Sequence, residues 1–163
     1  GLNCRFLAQV LNEMYLAMGF PSRFVTCQSK AYDTDTDCHV INMVWSRQLG
    51  KWIWMDASFA AYVTDENGLL LHPGEVRERL IKGLPLVLNE DANWNHKTKQ
   101  TKEGYLENYM AKNLYMLDAH LESRFETEPA DGSGSRQIYL VPEGFWPLSE
   151  YATYDDRYFW QAP

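Results

Sequence analysis

Residues 4–18, CRFLAQVLNEMYLAM, set Leu7, Val10, Leu11, Met14 and Met18 at helical intervals, and Gly19 followed by Pro21 ends the run. The next strong pattern is of another kind. CHVINMVWS (38–46) and GKWIWMD (50–56) read as two strands separated by Arg47-Gln48-Leu49, with Gly50 as the turn signal. A loop of about four residues over Ser46 to Leu49 would set Trp45 opposite Gly50 and His39 opposite Asp56. Directly opposed residues on one face have Cβ atoms roughly 5 Å apart, and a slip of one residue would send the two to opposite faces.

Further along, residues 59–72 suit a hairpin turning at Asp65-Glu66-Asn67-Gly68, and Pro73 to Ile81 a short helix with Pro near its start. The stretch 84–101 shows no sustained period and is read as loop. Glu103 to about Asn113 suits a helix with Leu106, Met110 and Leu114 on one side. After it Tyr115, Leu117, Ala119, Leu121 and Phe125 alternate with Met116, Asp118, His120, Glu122 and Arg124, which predicts a strand with one wet face. A single helix over 103–126 is the rival reading, supported by helix propensity. ADGSGS (130–135) forms a flexible turn, and Arg136 to Val141 a partner strand. The aromatic tail (Phe145, Trp146, Tyr151, Tyr154, Tyr158, Phe159, Trp160) is expected to pack on the domain, with a carbohydrate or peptide platform as the alternative.

Composition narrows the classes. The chain has 163 residues, 45% hydrophobic and 14% aromatic, which fits one packed domain and not a disordered chain. A net charge of -7 without a stripe of Lys or Arg argues against nucleic-acid binding. No apolar run is long enough to cross a bilayer, and no signal peptide is visible. The compartment stays open, extracytoplasmic included, if the natural N-terminus lies upstream of Gly1. Three cysteines make an odd set with no C-x-x-C spacing, so neither a disulfide framework nor a zinc site is expected. Cys27 and Cys38 read as strand residues. Asp33, Asp35 and Asp37 begin like a calcium loop, but Cys38 stands where Gly is required and Val44 where Glu is required. That segment reads as a solvated acidic loop. No metal or cofactor is called for.

Chemistry enters with three residues. Cys4 sits in the first turn of the first helix, where free N–H groups and the macrodipole favour a thiolate. A buried cysteine packing as a small apolar residue would occupy the same position, so position alone leaves both readings open. A nucleophilic thiol needs a base, and the base needs a partner to hold its tautomer. His39 in its strand and Asp56 at the end of the next supply them; otherwise His39 is a satisfied strand histidine and Asp56 a strand terminator. Trp94 and His96 are the chemically interesting residues of the 84–101 stretch, and Trp94 is the candidate substrate-binding wall. His72, His96 and His120 lack ligand-like spacing and read as structural or exposed.

From Gly1 to about Phe59 the chain resembles the transglutaminase-like superfamily, in four pieces. Gly1-Leu2-Asn3-Cys4 opens a helix; Gly19-Phe20-Pro21-Ser22-Arg23-Phe24-Val25 matches a helix end followed by a strand carrying an Arg. His39-Val40-Ile41-Asn42-Met43-Val44 and Lys51-Trp52-Ile53-Trp54-Met55-Asp56 complete the series. Ala57-Ser58 follows where the family often has Pro. The resemblance implies a papain-like core with Cys4 as nucleophile, His39 as general base and acid, and Asp56 as the orienting carboxylate. It also implies upstream segments that supply an oxyanion donor, so that partner has no name here.

The expected fold is α+β: a papain-like, transglutaminase-like core with the cysteine helix packed on a mostly antiparallel sheet. Residues 1–163 are expected to form one such domain lacking upstream N-terminal segments. The expected activity is thiol-dependent hydrolysis of peptide or other amide bonds through a Cys thioester. The alternatives are a protein cross-linking transglutaminase and a non-catalytic peptide- or glycan-binding module that keeps the triad. The expected partner is a peptide or protein substrate.

Overall fold

The computed structural model describes residues 3–128, 136–145 and 151–163. The expected turn at 130–135 and Trp146 of the aromatic tail lie outside the described residues. Helix α1 runs Cys4–Ala17 and begins where Asn3 caps it, the Asn3 side chain accepting from the Phe6 N–H at 3.0 Å. It ends at Gly19, whose φ of 82° lets its own N–H and that of Phe20 return to the Leu16 and Tyr15 carbonyls.

The strands are β1 Ser22–Gln28, β2 Cys38–Ser46, β3 Lys51–Met55, β4 Val63–Thr64, β5 Val87–Leu88, β6 Asn93–Trp94, β7 Thr98–Lys99, β8 Met116–His120, β9 Gln137–Leu140 and β10 Ala152–Thr153. Six of them form one sheet in the order β10-β9-β8-β1-β2-β3, antiparallel at every pairing except β10 with β9. Helix α2 spans Pro73–Lys82, with His72 and Glu75 forming a reciprocal cap at its start; α3 spans Ala111–Asn113 and α4 Asp156–Phe159. The fold is thus α+β, with the Cys4 helix against a mostly antiparallel sheet.

Pleating divides the sheet. One face carries Val25, Cys27, Ile41, Met43, Trp52, Trp54, Leu117, Ala119, Ile138 and Leu140 into the main core, closed by Val76, Tyr105, Leu106, Met110 and Phe159. Burial of Trp52 and Trp54 alone contributes on the order of 4–6 kcal/mol each. The other face receives α1 over β1 and β2, where Ala8 packs on Phe24 and Val40 and the Asn42 side-chain amide donates to the Ala8 carbonyl at 2.8 Å.

Several expectations change. The face α1 turns to the sheet carries Ala8 and Asn12, while Val10, Met14 and Met18 are 53%, 56% and 70% exposed. Small Ala8 allows a close approach over a partly polar face, so apolar periodicity named the wrong side. Strand β8 replaces the rival long helix, but it has no wet face, because all five residues are buried. Its polar side is met by other polar groups: Gln28 donates to Asp118 at 2.9 Å, and Arg5 bridges Thr26 at 3.1 Å and Glu128 at 2.6 Å. The segment 84–101 contains three two-residue strands, and the Asp65–Gly68 turn forms, although β4 pairs with β5. Glu103–Met110 is helical as expected but wound as a π-helix, continued by α3. Of the tail, Phe159 is buried, whereas Tyr151, Tyr154 and Tyr158 keep large exposed surfaces. No helix among the described residues is long and apolar enough to cross a membrane.

Candidate active site

Cys4 is the first residue of α1, half-buried beside Ala8, Phe24 and Val40. His39 is the second residue of β2, and Asp56 follows β3 directly; they are 2% and 3% exposed. The β2–β3 ladder runs from Ser46 opposite Lys51 to Asn42 opposite Met55, so the loop is Arg47 to Gly50. The loop has the expected length but starts one residue later, because Gly50 takes a left-handed φ of 64° inside the turn. Strand pairing therefore shifts by two residues, setting Trp45 opposite Trp52. His39 and Asp56 become diagonal neighbours where direct opposition was expected. A shift of two preserves the pleat, so both stay on the core face.

They meet there, with His39 Nε2 2.6 Å from Asp56 Oδ2. Asp56 is held from four directions. Oδ1 accepts the backbone N–H groups of Ser58 at 2.8 Å and Phe59 at 3.2 Å. Oδ2 also accepts the Tyr105 hydroxyl at 2.5 Å, and the Tyr105 oxygen accepts the Trp54 indole N–H at 3.3 Å. With Nε2 engaged, Nδ1 is the imidazole nitrogen left to meet the Cys4 thiol. The His39 ring is wedged between Phe59 and Tyr109, both edge-on, with centroids 5.3 and 5.4 Å away.

The electrostatics follow this geometry. Burial works against a charged His39, but the Asp56 carboxylate, by charge and hydrogen bond, and then Cys4 outweigh it and hold the imidazole at about 9. The Cys4 thiol moves down from 9.0: its hydrogen bond with His39 is the largest cause, burial opposes, and the Val40 and Arg5 backbone N–H groups assist. Each member thus favours the charged form of the other, the condition for a thiolate–imidazolium pair. The other two thiols differ. Burial drives Cys27 well above 9.0; Cys38, although exposed, is raised by local crowding and then by the Cys4 charge.

Trp94 lies on the β6–β7 hairpin and is 48% exposed. That hairpin is tethered beside Asp56, Asn93 N–H donating to the Phe59 carbonyl at 2.8 Å and Asn95 N–H to Ser58 at 3.3 Å. Among the described residues Trp94 has no hydrogen bond or ring contact with Cys4, His39 or Asp56. Tyr105 and Tyr109 were not picked out from sequence. Their spacing of four on a predicted helix was the available signal. The π-helical winding that points both at the dyad has no local sequence signature.

At the end of one sheet the structure brings His39 against Asp56, with Cys4 at the helix start packed beside Val40 of the same strand. Residues 1–57, about the first third of the chain, match the family model of the transglutaminase-like superfamily. No curated protein and no solved structure gave a match.

Proposed function

We propose that this protein is a thiol-dependent acyl hydrolase acting on peptide or other amide bonds, with Cys4 as nucleophile, His39 as general acid and base, and Asp56 as the orienting carboxylate. The observation that carries the reading is the buried 2.6 Å Asp56–His39 contact, and the lowering of the half-buried Cys4 thiol by His39 supports it. The Cys4 thiolate attacks the carbonyl carbon, and the electron pair of the C=O bond moves onto oxygen. Collapse of that intermediate expels the amine, which takes a proton from imidazolium Nδ1, and leaves a thioester on Cys4. Neutral His39 then removes a proton from water, which attacks the thioester and releases the acid and the thiol. Water is the proposed acceptor because it needs no binding site of its own; a primary amine in its place would make the same intermediate a cross-linking step. Trp94, on the hairpin tethered to Ser58 and Phe59, is the proposed wall for the acyl group. The proposed unit is one transglutaminase-like domain.

The test is iodoacetamide alkylation of Cys4, Cys27 and Cys38 between about pH 4 and 9, read by mass spectrometry on wild type and His39→Ala. Cys4 should react fastest well below its ordinary pKa, and loss of His39 should move its profile upward. A Cys4 profile that ignores His39 would sink the proposal in favour of a binding module.

A further inference from the structure

The tetrahedral intermediate of the proposed reaction carries an oxyanion, and the N–H of Cys4 at the helix start is one donor for it. A second donor has to stand beside the thiol and base, keep its proton, and be uncommitted elsewhere. Tyr109 meets these conditions. Its ring stands edge-on to His39, centroids 5.4 Å apart at 63°, and leans on Phe59 at 5.7 Å. It is half-buried, so part of the side chain stays open to an arriving molecule. Tyr105, four residues earlier, spends its hydroxyl between Asp56 and Trp54. The Tyr109 hydroxyl has no hydrogen-bond partner among the described residues; Asn113 donates to the Tyr109 backbone carbonyl, not to the phenol. Burial first, then the charges of Asp37, Cys4, Asp56 and Cys38, raise the phenol well above 10.0. A phenol so raised remains a donor wherever the thiolate exists.

We infer that Tyr109 is a catalytic residue whose hydroxyl donates a hydrogen bond to the oxyanion formed when Cys4 attacks an acyl group. The inference rests on the reading of Cys4 as nucleophile. As the C–S bond forms, the carbonyl electron pair moves to oxygen and is held there by Tyr109 O–H and Cys4 N–H. Collapse returns the pair and expels the leaving group, with the tyrosine proton never transferred.

Two reagents separate this role from a packing role. Acylation of Cys4 by p-nitrophenyl acetate passes through an oxyanion; alkylation by iodoacetamide is a displacement at carbon and does not. Tyr109→Phe keeps the ring against His39 and Phe59 and removes only the hydroxyl. The expected result is a fall of roughly 10²-fold in the acylation rate with the alkylation pH profile unchanged. Acylation within about twofold of wild type would overturn the inference. So would a parallel fall in both rates, because Tyr109 would then act by supporting His39. A wild-type Cys4 that alkylates like an ordinary thiol would instead overturn the underlying reading, a failure visible before any Tyr109 variant is made.

Discussion

Asp56 shows how much a single side chain can organise. Its carboxylate takes two backbone N–H groups on one oxygen and His39 with Tyr105 on the other, inside the core. The charge it presents is what keeps His39 protonated against the cost of burial. Asp56→Asn retains an acceptor for the Ser58 and Phe59 N–H groups but removes that charge. His39 should then fall from about 9, with only Cys4 left to oppose burial. Cys4, deprived of an imidazolium, should shift its alkylation midpoint upward by about one pH unit or more. An unchanged midpoint would mean that Asp56 does not act through His39. In the wild type the acyl-transfer rate should rise as Cys4 ionises, below its ordinary 9.0, and fall as pH climbs through about 9 and His39 loses the proton that the leaving amine needs. The resulting bell belongs to the coupled pair. The placement of Cys4 at a helix start and the meeting of His39 with Asp56 were legible because each residue stands at an element edge with its own local pattern. Tyr105 and Tyr109 were not, because which face of a helix meets the dyad is decided by packing about fifty residues further along the chain.

At the scale of elements, the π-helix over Glu103–Met110 is the least expected piece. Its wider turn carries Tyr105 onto Asp56 and Tyr109 onto His39 from one segment, and such turns are frequent at functional sites. Tyr105→Phe leaves the buried Trp54 N–H without an acceptor and Asp56 with three hydrogen bonds. Urea unfolding should show a loss of about 1–3 kcal/mol, and equal stability would indicate that another group takes up both partners. Helix and strand positions were largely readable: α1 and β2 fall almost where periodicity put them. Two things were not. The β2–β3 register depended on whether Gly50 belongs to the strand or to the loop, which its left-handed φ decides. The orientation of α1 depended on small and polar residues fitting the sheet, which a search for apolar stripes passes over.

The sheet as a whole acts as a partition. His39 and Asp56 hang from one face, α1 lies on the other, and thiol and base meet where β2 begins. Strand order was the part least available to sequence reading. The interior strand β1 takes one neighbour from the adjacent hairpin and the other, β8, from some ninety residues on, a pairing no local signal marks. That architecture also predicts an order of assembly. His39 and Asp56 are 17 residues apart and close through one hairpin, whereas Tyr105 reaches Asp56 across 49. Loop-closure entropy favours the shorter contact by only about 0.9 kcal/mol, but the hairpin also brings its own ladder with it. During refolding, rapid alkylation of Cys4 should therefore return before rapid acylation by p-nitrophenyl acetate; simultaneous recovery would show one cooperative step. A newly made molecule would pass through an interval in which its thiol is armed but not yet able to hold an acyl intermediate.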